Sequence, residues 1–193
     1  MFMLQKSLIS LLTALILLSG CSSTQNRGDN QCLTFEDKLQ ATDLSNLIKN
    51  MAAELSNGLP KFDLKSSDDY GVLLVADFVN VNTLKTEQNS LVMSDMLRTY
   101  LANLPGKKVI QVEFGKDIRL SDSGVISLTR NTDLTNKLKV GANQVVVGTY
   151  LDLQNKLIIN LRAIDPSNQI ISSAVVRELK YSCTGGKLNL LNQ

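Results

Sequence analysis

Three cysteines carry the most distinctive chemistry of this 193-residue chain, namely Cys21, Cys32 and Cys183. A cysteine thiolate is a nucleophile, so it can be acylated or can form a disulfide. The chain contains no histidine and no tryptophan. It therefore lacks the commonest general base and the commonest transition-metal ligand of proteins. The candidate chemistry is covalent modification of cysteine, and we predict neither a catalytic residue nor a metal site.

The residues before Cys21 have the order of a secretory signal. Lys6 supplies a basic start, residues 8–18 are mostly apolar, and small residues lead to the cysteine in Leu18-Ser19-Gly20-Cys21. A transmembrane helix needs about 20 apolar residues, and this run is shorter. The ending resembles the lipobox of bacterial lipoproteins. That resemblance predicts a signal peptide over residues 1–20 and a palmitate-type lipid on Cys21, the first mature residue. We expect this covalent lipid and no cofactor.

The residues after Cys21 predict the placement of the mature chain. Several acyl chains anchor a protein firmly to a membrane, whereas one chain binds only marginally. Ser22 stands where lipoproteins retained in the inner membrane usually carry aspartate, which favours a lipid anchor in the bacterial outer membrane. We expect the domain on the periplasmic face of that membrane, with the surface-exposed face as the alternative. Residues 22–31 are polar and without periodicity. We therefore predict a flexible tether over residues 21–40.

The two remaining cysteines form one pair once Cys21 carries lipid. An oxidising compartment allows a disulfide between Cys32 and Cys183, which would tie the N-terminal segment to the C-terminal edge of the domain. The alternative is two separate thiols, one of them available to a partner chain. The even count favours the bridge.

Composition predicts one globular domain over residues 41–183, followed by a flexible tail over 184–193. The chain is 44% hydrophobic and 20% charged, with a formal net charge of +2. This near-neutral balance gives no reason to expect a nucleic acid as partner. Gly185-Gly186-Lys187 lacks the spacing of a phosphate loop.

Periodicity predicts the elements of the domain. Apolar residues at helical spacing indicate helices, whereas alternating or valine-rich runs indicate strands. In chain order we expect a helix over 42–57, a strand over 71–79, a helix from Asn89 or Ser90 to Leu104, strands over 110–114 and 125–129, a short helix over 131–141, and strands over 145–151, 157–164 and 170–179. This order predicts an α/β (α+β) domain with a mixed sheet, helices mainly on one face, and a C-terminal antiparallel meander.

Residues 115–119 hold three charged side chains in a short span, Lys116, Asp117 and Arg119. They are candidates for contact with a partner protein. A solvated connection between elements is the alternative.

Five segments together resemble the FlgO family of flagellar outer-membrane lipoproteins. In order along the chain they are 71–79, 115–120, 128–130, 142–150 and 159–165. The resemblance covers roughly residues 70–175. It implies a non-enzymatic part in flagellar assembly, outer-ring structure and motility. It also implies companion flagellar lipoproteins and outer-ring proteins as partners, and is compatible with self-assembly into a ring.

Two other classes of function remain open. One is an outer-membrane lipoprotein of another envelope machine, either an activator of peptidoglycan synthesis or an accessory subunit of a secretion pore. A pore subunit needs lipid-facing strands of about 9–11 residues, and the predicted strands are too apolar on both faces for that. An enzyme is the third class, and the missing histidine speaks against it.

Overall fold

The computed structural model describes residues 34–60, 71–112, 118–120, 126–128 and 143–192. The described helices are α1 (Phe35–Ala41), α2 (Leu44–Asn57) and α3 (Gln88–Ala102). The described strands are β1 (Gly71–Ala76), β2 (Val79–Asn80), β3 (Lys107–Val112), β4 (Ile118–Leu120), β5 (Ile126–Leu128), β6 (Gln144–Leu153), β7 (Lys156–Ile164), β8 (Ile171–Thr184) and β9 (Lys187–Asn192). The short helix predicted over 131–141 lies outside the described residues.

Seven of these strands form one mixed sheet in the order β3-β1-β6-β7-β8-β9, with β2 beside β6. β1 runs parallel to both β3 and β6, and β2 runs parallel to β6. From β6 to β9 each strand pairs antiparallel with the next. β4 and β5 form a separate antiparallel pair. The predicted fold class, a mixed sheet with a C-terminal meander, is confirmed.

The described helices pack on one face of this sheet. Alternate strand residues point to that face, so Leu73 and Val75 of β1 share a core cluster with Leu161 of β7 and the buried sides of α2 and α3. On the other face, Leu74 and Val145 belong to a second buried cluster. β1 is buried at all six positions, as expected for a strand covered on both sides.

Local signals explain where α2 begins and ends. The Asp43 side chain accepts a hydrogen bond from the Asn46 amide and so satisfies a donor of the first turn. Leu47, Met51 and Leu55 are buried along one side. The helix ends at Asn57 and Gly58 follows as its C-cap. The predicted helix over 42–57 is therefore confirmed with its start moved by two residues.

The predicted strand over 71–79 is interrupted by two buried residues. Asp77 leaves the ladder and forms an ion pair with Arg98 of α3. The Phe78 amide hydrogen-bonds to the Ser94 hydroxyl at 2.9 Å. The Ser94 hydroxyl thus satisfies a backbone donor in the break between β1 and β2.

Two segments predicted as flexible contain regular structure. Residues 35–40 of the predicted tether belong to α1, which ends one residue later, and residues 187–192, inside the predicted tail, form β9. β9 follows a turn with Gly185 and Gly186 at φ of 58° and 74°, the left-handed region that glycine adopts without strain. β3 starts at Lys107, three residues before the predicted start, because its pairing with β1 extends to Gly71.

Candidate anchoring and partner-contact sites

The helix α1 joins the N-terminal segment to the folded domain. Thr34 caps it, because its hydroxyl accepts from the Asp37 amide and the Asp37 carboxylate accepts from the Thr34 amide. The Phe35 ring stacks on the Tyr150 ring of β6, with centroids 4.6 Å apart and planes inclined by 6°. Stacked aromatic pairs stabilise beyond the area that they bury.

A buried lysine holds α1 against the end of β6. Lys38 has no exposed surface. Its Nζ donates to Oδ1 of Asp152 and to the carbonyl oxygen of Leu153, both at 2.5 Å. A buried ammonium group requires a counter-charge and hydrogen-bond acceptors, and this site supplies both.

The end of α1 is fixed to β8 through two hydroxyls. The Thr42 hydroxyl donates to the carbonyl oxygen of Lys38 at 2.7 Å. The Tyr181 hydroxyl lies 2.7 Å from the same Thr42 oxygen. Since the Thr42 hydroxyl proton is already donated to the Lys38 carbonyl oxygen, the Tyr181 hydroxyl is the donor in this contact. Stacking, ion pair and hydroxyl contacts together fix where the preceding segment leaves the domain.

The predicted cysteine sites fall only partly within the described chain. Cys21 and Cys32 lie outside the described residues. Cys183 lies near the end of β8, where it pairs with Leu188 of β9, and it is not a free thiol. The bridge between Cys32 and Cys183 stays a prediction.

The predicted contact residues in the charged segment also lie mostly outside the described chain. Lys116 and Asp117 are not among the described residues. The backbone of Arg119 lies in β4 and pairs with Ser127 of β5. Part of the segment is therefore a strand and not an irregular connection, and its contact with a partner stays a prediction.

A second buried charged cluster joins β1 to α3. Arg98 donates through Nη2 to Asp77 and, at 2.8 Å, through Nη1 to Oδ1 of Asp95. Asp77 and Arg98 are both buried, whereas the Asp95 side chain is 76% exposed. The guanidinium joins α3 to the residue that follows β1, so its role in this arrangement is structural.

Tyr150 combines deep burial with an unpaired hydroxyl. Its ring is 1% exposed, and its Oη has no hydrogen-bond partner among the described residues. Burial raises the pKa of Tyr150, and the nearby Glu87 carboxylate adds to that shift. Burial likewise raises the pKa of Tyr181. Both phenols therefore stay neutral over the physiological pH range.

Neither a metal centre nor a membrane-spanning helix is found in the described part of the chain. No group of three or more potential metal-ligating side chains occurs within the described ranges. None of the helices found there is both long and apolar enough to cross a bilayer.

The family model of the FlgO protein matches residues 49–183 of this chain. The chain belongs to the FlgO family. The match runs from the middle of α2 to the end of β8, so it includes the parallel centre of the sheet and most of its meander. It confirms the resemblance that the five sequence segments indicated. No curated protein matches this FlgO-family chain.

Two solved structures resemble the FlgO-family chain in fold. The C-terminal domain of LpoB from Salmonella enterica is 12% identical, covers 72% of this chain and 99% of that chain, and has a TM-score of 0.43. The C-terminal domain of LpoB from Escherichia coli is 14% identical, covers 71% of this chain and 98% of that chain, and has a TM-score of 0.42.

Sequence reasoning missed the residues that hold α1. Lys38 and Asp152 are 114 residues apart, so no local pattern links them. One available signal was Thr34-Phe35-Glu36-Asp37, in which an acidic residue follows a potential cap by three positions. That pattern predicts a helix start inside the segment assigned to the tether.

Proposed function

We propose that the protein is a non-enzymatic outer-membrane lipoprotein that contributes to flagellar assembly, outer-ring structure and motility. The match of residues 49–183 to the FlgO family carries this proposal. Its partners are the outer membrane, reached through lipid on Cys21, and flagellar outer-ring proteins with their companion lipoproteins.

The attachment of α1 supports a role as an anchored structural module. The described part of the chain begins at Thr34, thirteen positions after Cys21, the proposed site of the lipid. Thirteen extended residues span at most about 45 Å. The stack of Phe35 on Tyr150 and the pair of Lys38 with Asp152 prevent α1 from adding to this length. The domain is thereby held within a fixed distance of the lipid surface.

The chemistry of the described residues agrees with a role in assembly. The buried charged side chains Lys38, Asp77 and Arg98 are engaged in ion pairs that join elements of the fold. A catalytic group instead needs access to substrate and a pKa matched to its task. We therefore assign these charges to the scaffold and no reaction to the protein.

The experiment is a gene deletion with complementation. We expect the deletion strain to swim poorly and to carry absent, fewer or unstable flagella. Wild-type protein should restore swimming, and Cys21→Ala should fail to do so if membrane placement is required. Thr24→Ala, a neutral change in the same segment, is the matched control and should restore swimming.

Electron cryotomography of motors in these strains locates the defect. Incomplete outer rings in the deletion strain support the proposal. Normal swimming with every outer ring intact would contradict it. Increased sensitivity to inhibitors of peptidoglycan synthesis in such a normally swimming strain would favour the alternative role in the cell wall.

A further inference from the structure

An open groove lies where the three described helices approach one another. Its volume is about 240 Å³. α1 contributes three lining residues, the first residue of α2 one, and the first two turns of α3 two. The lining residues are Glu36, Leu39, Gln40, Leu44, Asn89 and Val92.

Apolar side chains at this groove are open to solvent. Val92 is 50% exposed and its neighbour Leu91 is 41% exposed, although both stand in the first two turns of α3. A single exposed hydrophobic residue on a helix needs no explanation. Here the exposed Val92 lines a groove that Leu39 and Leu44 also line, and the preceding residue along the chain, Leu91, is exposed as well. The combination offers a small apolar surface to another molecule.

The walls of the groove are held rigidly. α1 is fixed by the ion pair of Lys38 with Asp152. α2 and α3 are joined by the hydroxyls of Ser45 and Tyr100, which lie 2.6 Å apart. The buried Ser90 hydroxyl ties the first turn of α3 to the Phe78 carbonyl oxygen at 3.0 Å. A preformed surface binds with a smaller ordering cost than a mobile one.

The rim of the groove is acidic. Glu36 lines it, and its Oε1 accepts a hydrogen bond from Nε2 of Gln40 at 3.3 Å. Asp43 directly precedes Leu44, and Asp95 stands one turn beyond Val92 with its side chain 76% exposed.

The cations of these helices leave this negative charge largely uncompensated. Lys38 is buried in an ion pair, and Arg98 is shared between two carboxylates. Lys49 stands five positions after Leu44, about 140° around α2 from it, so it points away from the groove. The rim therefore keeps a net negative charge.

We propose that this groove is a docking site for a protein segment with apolar side chains flanked by lysine or arginine. Its apolar lining supplies the contact area, and the acidic rim selects and orients the cationic flanks. A two-fold symmetric contact with a second copy would bring the same acidic rim against itself, and like charges across an interface are unfavourable. The occupant proposed is a segment of a different chain that carries the complementary positive charge, and this inference does not depend on the flagellar role.

The test uses two synthetic peptides that share one apolar pattern and differ only in flanks of lysine or glutamate. The protein is the full mature chain with Cys21→Ser, so that no lipid surface competes for the peptides. Fluorescence anisotropy at low salt should show the lysine-flanked peptide binding about tenfold more tightly. Added salt should reduce that preference, because exposed charges are screened.

Three variants locate the site. Val92→Gln should weaken binding of the lysine-flanked peptide at least fivefold, and Glu36→Lys should weaken it about two- to fivefold, the range of one exposed ion pair. Val176→Gln is the matched control, since Val176 is also exposed, at 58%. Its neighbour on β8, Val175, points to the helices, so Val176 points to the opposite face of the sheet. Val176→Gln should leave binding unchanged. All three positions are exposed, so thermal unfolding should confirm intact folds.

Three outcomes would overturn the proposal. The first is equal or undetectable affinity for the two peptides. The second is loss of binding in Val176→Gln but not in Val92→Gln. The third is a dimer in sedimentation experiments that Val92→Gln dissociates, because the occupant would then be a second copy.

Discussion

Nζ of Lys38 lies 2.5 Å from Oδ1 of Asp152, and this ion pair joins α1 to the end of β6. The two partners differ in exposure. The Lys38 side chain is fully buried, whereas that of Asp152 is 26% exposed. The pair is therefore asymmetric, and removing its two members should have unequal consequences.

Asp152→Asn should destabilise the protein more than Lys38→Met. The first change leaves an ammonium group buried without a counter-charge and should lower the free energy of unfolding by about 3 kcal/mol. The second leaves a carboxylate that water already reaches, and methionine refills the space, so we expect a loss of about 1 kcal/mol. Urea unfolding measures both. A larger loss in Lys38→Met would show that the lysine is not the desolvated partner.

Gly148→Ala should strain the contact between β6 and Phe78. A Cβ atom at Gly148 would lie 2.5 Å from Cδ1 of Phe78, which is fully buried. Overpacking of this kind lowers the free energy of unfolding by about 1–3 kcal/mol. Gly186→Ala is the comparison, since nothing lies within 4 Å there and only the positive φ is unfavourable.

Adding Phe78→Leu to Gly148→Ala should restore part of the lost free energy of unfolding, because the smaller leucine leaves room for the new Cβ atom. Calorimetric unfolding of the single and double variants provides the measurement. If Phe78→Leu adds its own loss without any rescue, the close approach is not the cause of the instability.

Tyr150→Phe and Tyr181→Phe should have different effects on the free energy of unfolding at neutral pH. Tyr150 loses a buried hydroxyl that has no partner among the described residues, so its variant should keep or slightly gain stability. Tyr181 loses its hydrogen bond to Thr42, which should lower the free energy of unfolding by about 1 kcal/mol. Chemical denaturation of the two variants under identical conditions decides between these outcomes.

The same tyrosines predict weaker stability at alkaline pH. The pKa of both is raised in the folded state, mainly by burial, whereas an unfolded tyrosine titrates near pH 10. Above about pH 10 the unfolded chain releases protons that the folded chain retains, so stability falls as pH rises. Their contribution is fully present below that pH. The free energy of unfolding of the Tyr150→Phe, Tyr181→Phe double variant should therefore decline less between pH 9 and 11.

Cys32 and Cys183 should form an intramolecular disulfide. Cys32 precedes the cap of α1 by two residues, α1 contacts β9, and Cys183 pairs with Leu188 of β9. Mass spectrometry of unreduced tryptic peptides should detect the cross-linked pair. Recovery of both cysteines alkylated in the native, unreduced protein would exclude the bridge.

Cys21 should carry the lipid. Cells labelled with radioactive palmitate should incorporate label into the wild-type protein and none into Cys21→Ala. Cys32→Ala is the matched control and should retain full labelling, because it stands outside the Leu-Ser-Gly-Cys motif. Label that persists on the Cys21 variant would move the acylation site elsewhere.

Local patterns in the chain were enough to predict most elements and the class of fold. The apolar period of α2, its aspartate cap and its glycine stop act over a few residues, so they are readable without tertiary structure. The same holds for the valine-rich β1 and for the meander, where successive strands pair with their neighbours in sequence.

Contacts between distant segments required the tertiary structure. The placement of β1 between β3 and β6 depends on parallel pairing across long connections, which periodicity does not encode. α1 is a helix of 7 residues, too short to be stable alone, and it persists because Phe35 meets Tyr150 and Lys38 meets Asp152. β9 lies in the segment predicted as a flexible tail, and it forms because β8 supplies its hydrogen-bond partners. The sequence determined the elements that are stable by local pattern and capping, whereas tertiary packing decided the marginal elements and the groove that α1 completes.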